Sequence, residues 1–197
     1  MVIAQPPPAA LYSNDFQSAP VGPPPEDFKV LAGEFSVKEE AGNRFLELGT
    51  EALNSFGVMI GPDRRAGTAI TARVRSSVTG RRFPEFGVGL GGAGGYRLFL
   101  MPAVNQIQIR QGDRTIAQAP FTWKSEEWAH LHAELTRTAD GKWSFAGKAW
   151  MDGDPPPPDF LVGHEITEDP PTGRPVLWGT PYSEKRIQFD DVRISQP

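Results

Sequence analysis

The chain has 197 residues, a size at which an all-β sandwich often stays undivided, and 39% of them are hydrophobic, enough to fill a core between two sheets. Its net charge is −4, and its Lys and Arg residues are scattered or paired in expected turns (Arg64–Arg65, Arg81–Arg82), so the basic stripe of a nucleic-acid partner is missing. Cysteine is absent, which excludes a disulfide framework, a CxxC redox motif and a thiolate zinc site, and no apolar run reaches the roughly 18 residues of a membrane span.

The first ten residues, Met1–Ala10, carry neither a basic n-region nor an apolar h-region. They read as a disordered tail or as the stretch after a removed signal peptide, with one domain expected over 11–197. Strands are expected at Leu11–Phe16, Glu34–Glu39, Arg44–Leu48 and Phe56–Ile60, with turn signals at Ala41–Asn43 and Gly61–Asp63. Thr68–Arg75 alternates strictly, placing Ile70, Ala72 and Val74 on one face and Thr71, Arg73 and Arg75 on the other. Phe83–Leu90 and Tyr96–Met101 follow, joined by Gly91–Gly95, whose glycines suit a hairpin turn with positive φ. Gly87–Gly92 spells GxGxxG, but a strand follows it where a dinucleotide site needs a helix.

Asn105–Arg110 repeats the alternation through Ile107 and Ile109. Trp128–Leu135 turns Leu131, Ala133 and Leu135 inward and His130, His132 and Glu134 outward, with Trp128 anchoring the start of the strand. In Trp143–Met151, Trp143 shares parity with Phe145, Ala149 and Met151 and belongs to the core. Trp150, opposite in parity, is the candidate exposed aromatic platform. Pro155–Pro158 is expected to be a stiff polyproline II connector. Val176–Gly179 and Ile187–Ser195 close the set, the last with a β-bulge near Asp190–Asp191 that reconciles Ile187 and Phe189 with the out-of-phase Val192 and Ile194. About a dozen strands and no helical stripe predict an all-β, two-sheet antiparallel sandwich.

Several stretches in this order resemble a known family. Asn14–Phe16 precedes Gly33–Val37 (GEFSV). The central hairpins carry Phe86–Leu90 (FGVGL), Tyr96–Leu100 (YRLFL) and Asn105–Ile109 (NQIQI). Trp128–Leu135 leads to Ala149–Gly153 (AWMDG), and Phe189–Ile194 (FDDVRI) ends the series. Over Leu11–Ile194 the chain is similar to laminin-G-like bacterial domains of the concanavalin A-like lectin/glucanase kind, related to 3-keto-disaccharide hydrolase-type domains. The resemblance implies a jelly roll, a secreted, periplasmic or cell-surface location, and a polysaccharide or oligosaccharide partner. It requires no cofactor, but implies a structural calcium where the first and last strands meet, on Asp190 and the backbone oxygen of Asp15.

Sugar sites combine aromatic faces with polar neighbours that satisfy hydroxyls. On that basis the candidate ligand residues are Arg73, Arg75, His130, His132, Glu134 and Trp150, expected on the concave side of one sheet. The His-x-His-x-Glu spacing is also compatible with a metal, although a polar open face produces it as readily. Retaining glucanases of this fold carry an E-x-D-x-x-E strand that holds two carboxylates about 5 Å apart. That motif is absent; the nearest acidic cluster, Glu165–Asp169, runs into Pro170 and Pro171. The leading expectation is therefore carbohydrate recognition without catalysis. The alternatives are a glycoside hydrolase of keto-glycoside or glucan type, drawing on Glu85, Glu134 or Glu165, and a structural or adhesion domain.

Overall fold

The computed structural model describes residues 10–50, 55–64, 67–181 and 185–197. The strands in chain order are β1 (Ala10–Asn14), β2 (Lys29–Ala32), β3 (Phe35–Glu40), β4 (Asn43–Leu48), β5 (Phe56–Met59), β6 (Thr68–Arg75), β7 (Glu85–Leu90) and β8 (Tyr96–Met101). They continue with β9 (Gln106–Gln111), β10 (Arg114–Pro120), β11 (Ala129–Arg137), β12 (Trp143–Met151), β13 (Val162–Ile166), β14 (Val176–Thr180) and β15 (Ile187–Ser195). Among the described residues the helical content is a three-residue 3-10 turn, Pro102–Val104. The expected tail, apart from Ala10, lies outside the described residues.

Two antiparallel sheets result. The first runs β13-β12-β11-β6-β15-β4-β3, and the second β10-β9-β8-β7-β14-β5-β2. The irregularity in β15 falls at Asp190–Asp191, as the phase change requires, with Asp191 at φ 45°. It splits the strand between partners: Ile187–Phe189 pair with β4, and Val192–Ser195 pair with β1.

The core forms where the inward sets of both sheets meet. Ile70, Val74, Leu131 and Leu135 of the first sheet and Ile107 and Ile109 of the second are at most 1% exposed. Gly147, central in β12, faces the Leu98 side chain so closely that any Cβ there would collide with it, so the strands approach because this residue has none. Gly91 and Gly92, at φ 85° and 72°, turn the chain from β7 into β8 as a hairpin, not a nucleotide-binding loop.

The sheets differ on their outer sides. β6, β11 and β12 alternate buried and half-exposed residues along almost their whole length, the pattern of a sheet with one wet face. In the second sheet β7, β9 and β14 are buried on both sides. Three strands escape sequence periodicity: β2, β10 and β13. Each is the outermost strand of its sheet, pairs on one side only, and buries too little to need strict alternation.

Candidate functional site

Pleat geometry brings all six candidate ligand residues to the wet side of the first sheet. Arg73 of β6 is in register with His130 of β11, which is in register with Trp150 of β12. One row further, Thr71, His132 and Lys148 align, and beyond them Glu134 faces Ala146. Arg75 sits at the other end, opposite Gln188.

These side chains are organised by one another. The His130 imidazole stacks on Trp150 with centroids 4.8 Å apart and planes 2° from parallel. Its Nε2 lies 2.9 Å from Asp152, whose other carboxylate oxygen accepts from Arg73 at 3.2 Å. Arg73 also donates to Asp191 at 2.9 Å. Both guanidiniums lie over the Trp128 ring, Arg73 at 4.8 Å and Arg75 at 5.0 Å, with Phe45 edge-on at 6.2 Å. Arg75 donates to Glu40 and to Gln188. His132 meets Thr71 Oγ1 at 2.8 Å through Nδ1 and Glu134 at 2.9 Å through Nε2. The proline connector borders this side, for Lys148 donates to the Pro157 carbonyl at 2.8 Å and Phe160 stacks on His132 at 6.1 Å.

Trp150 is not a bare platform, because His130 covers one ring face. Trp128 does more than anchor a strand start: it is the aromatic centre of the row, and only the folded sheet reveals the two arginines that lie over it. Past Arg75 the row opens into a cavity of about 550 Å³ lined by Glu40, Arg75, Ser76, Glu126, Lys185 and Gln188.

Asp190 is buried at 1% exposure, and burial pushes its carboxyl above the usual carboxylate range, against the lowering effect of the Asn43 amide. It accepts from Asn43 Nδ2 at 3.0 Å and from the Asp191 N–H at 2.8 Å, with Arg73 at 3.8 Å. The backbone oxygen of Asp15 accepts from Gln17 Nε2 at 2.8 Å. Hydrogen-bond donors thus already occupy the oxygens a calcium ion would need, and a guanidinium adds positive charge beside them. This donor set fits a hydrogen-bonded carboxylate better than calcium. Among the described residues no group of three or more His, Asp or Glu converges to hold a metal.

The carboxylates considered for catalysis do not come together. Glu85 is on the second sheet, where it pairs with Arg110 at 3.3 Å. Glu134 and Glu165 share the wet side of the first sheet but stand two strands and one row apart, with backbones roughly 12 Å from each other at standard sheet spacings. Glu165 is held by Lys142 at 2.7 Å.

Sequence periodicity overlooked the outer side of the second sheet. There Trp178 lies against Gly57 and Gly89, either of which would put a Cβ within 2.9 Å of the indole. Arg97 stacks on Trp178 at 3.6 Å and Arg110 on Phe99 at 5.8 Å, closing this side so that Trp178 and Phe99 are buried. Burial, then repulsion from Arg110, lowers the Arg97 pKa. The available signal was glycine inside strands, which marks a close approach.

No family model matches the sequence, and no curated protein matches it. Solved structures do. The carbohydrate-binding module CBM66 from Bacillus subtilis is 8% identical with a TM-score of 0.59, covering 86% of this chain and 95% of its own. The carbohydrate recognition domain of Emp47p is 9% identical with a TM-score of 0.60, covering 96% of each chain. The catalytic domain of the glycoside hydrolase family 131 protein from Coprinopsis cinerea is 11% identical with a TM-score of 0.61, covering 95% of this chain and 94% of its own. At these identities the likeness is one of fold. The chain has a concanavalin A-like jelly-roll sandwich fold.

Proposed function

We propose that this chain is an extracellular carbohydrate-recognition domain that holds a polysaccharide or oligosaccharide on the wet side of its first sheet. The observation that carries this reading is the continuous row Phe45, Arg75, Trp128, Arg73, His130 and Trp150, in which rings and guanidiniums alternate as far as Arg73 and the His130 imidazole then stacks on Trp150. The half-buried Trp128 and Trp150, seated on the buried Phe45 and beside His130, offer ring surface to the C–H side of a pyranose, and the polar groups between them meet its hydroxyls. Its charges are compensated by Asp152, Asp191 and Glu40, so it suits an uncharged, hydroxyl-rich partner. Similar folds whose names state carbohydrate binding or recognition support this reading. Binding without cleavage is favoured because Glu85, Glu134 and Glu165 form no acid–base pair.

The test is affinity electrophoresis against a panel of soluble polysaccharides, with a reducing-sugar assay alongside. Wild type is expected to be retarded by at least one polysaccharide, and a folded His130→Ala/His132→Ala variant to run freely. Reducing sugar is expected to stay at baseline. Equal retardation of the variant would remove the site.

A further inference from the structure

A second concavity opens where the edge strands β13 of the first sheet and β10 of the second come together, enclosing about 410 Å³. Its floor is Tyr96, largely buried and stacked on Phe145 of the core at 5.7 Å, with the His164 ring tilted beside it at 6.1 Å. Gln111, in register with Tyr96, and Arg114 form one wall at the β9–β10 turn. Glu168, in the loop after β13, forms the other.

That loop is fixed immediately after Glu168. Trp143 Nε1 donates to Asp169 at 3.1 Å. Pro171 packs on the glycine hairpin, where a Cβ on Gly91 would lie 2.7 Å from its carbonyl oxygen, and Gly173 packs on Gly92 in the same way. Only glycine permits both the positive φ and this approach. The Gly91–Gly95 turn therefore helps build the wall of the cleft.

The polar groups here differ from those on the sheet. Across the sheet, the candidate cations and imidazoles already have partners. In the cleft, the side chains of Tyr96, Gln111, Arg114, His164 and Glu168 make no hydrogen bond or ion pair among the described residues. Unspent donors and acceptors around an apolar, aromatic floor are the chemistry of a small-molecule pocket. One guanidinium, Arg114, stands against two carboxylates, Glu168 and the Trp143-held Asp169, an excess of negative charge that disfavours an anionic partner and leaves a neutral one acceptable. The volume lies low in the ~300–1,000 Å³ range of ligand sites, enough for one or two sugar rings. Tyr96 closes the bottom, so a chain enters by its end. Burial, and secondarily Glu168, push the Tyr96 phenol up from its ordinary value of 10.0.

We infer that this cleft binds the neutral terminal unit of a glycan, separately from the sheet. The inference rests on the carbohydrate reading above but not on where that reading places its site.

Nitrogen-15 NMR titrations with methyl glycosides of glucose, galactose, mannose, fructose and N-acetylglucosamine, and of glucuronic acid as the charged counterpart, test it. At least one neutral glycoside is expected to shift the resonances of Tyr96 and His164. The exposed-wall variant Gln111→Ala/Arg114→Ala should weaken that binding at least about tenfold, as loss of a charged hydrogen-bond donor does. Tyr96→Phe, which keeps the ring stack, should weaken it by a smaller factor, and His130→Ala/His132→Ala should leave it unchanged. No shift with any neutral glycoside, an unaltered affinity in the wall variant, or binding of the glucuronide alone would overturn the inference. If polysaccharide retardation depends on His130 and His132 while the glycosides are silent, the sheet reading stands and the cleft falls. If the glycosides bind the cleft while retardation ignores the histidines, the sheet reading falls and the cleft stands.

Discussion

Replacing His132 with alanine probes how tightly the wet side of the first sheet is built. Sequence alone makes it an exposed polar position, where substitution is nearly neutral. The structure makes it a two-ended bridge, with Nδ1 2.8 Å from Thr71 and Nε2 2.9 Å from Glu134, on a side chain only 18% exposed. Each lost hydrogen bond costs about 0.5–1.5 kcal/mol, so together they cost about 1–3 kcal/mol. For a domain of this size a kilocalorie lowers the melting temperature by about 2–4 °C, which predicts a fall of about 2–12 °C. His130→Ala should cost less, because Asp152 keeps Arg73 as a partner when the imidazole is gone. Thermal melts followed by circular dichroism, with urea melts to give the free energy, measure both. A His132→Ala midpoint within a degree of wild type would refute the bridge. Binding by the double variant must accordingly be measured well below its melting temperature.

Gly87→Ala should lower stability by about 1–3 kcal/mol or more, because its Cβ would run into the Leu98 backbone carbonyl, which cannot move without breaking the β7–β8 ladder; an unchanged urea midpoint would contradict this packing. Burial raises the folded-state pKa of Asp190 above its ordinary value of 3.8, so the folded chain takes up that proton at a higher pH than the unfolded chain. Wild type should therefore gain stability relative to Asp190→Asn as pH falls through the raised value towards 3.8, with a flat difference above it; a difference that shrinks on acidification in paired urea melts would show the shift has the opposite sign. Chelation with EDTA should leave the melting temperature unchanged, because Asn43, Arg73 and the Asp191 N–H already satisfy Asp190; a fall in melting temperature reversed by calcium would show that an ion belongs there.

Where periodicity is strict, the residues alone state the outcome. The alternation in Thr68–Arg75 and Trp143–Met151 foretells which side chains are buried, because a pleat leaves no other choice once one side is core. The same rule put Arg73, Arg75, His130, His132, Glu134 and Trp150 on one surface. It could not foretell their partners. Asp152, Phe160 and Asp191 come from loops or a bulge, and Phe45 reaches Trp128 from another strand, so their positions depend on strand order. The phase break between Phe189 and Val192 signalled the bulge, but not that it hands β15 from β4 to β1. Edge strands β2, β10 and β13 left no pattern because they bury little. Trp178 was opaque for a related reason: what hides it is the absence of side chains on Gly57 and Gly89, on two separate strands. The cleft at Tyr96 was equally hidden, since its walls come from a turn and a loop far apart in sequence.

The central claim is that a glycan lies along the row from Arg75 to Trp150. The most direct test is to titrate a polysaccharide that retards the protein, cut to soluble oligomers, into nitrogen-15-labelled chain while following the indole N–H signals of Trp128, Trp150 and Trp178. The row predicts saturable shifts at Trp128 and Trp150 and none at Trp178, which is buried on the other sheet beneath Arg97. Shifts at Trp178 with Trp128 and Trp150 unmoved would contradict it.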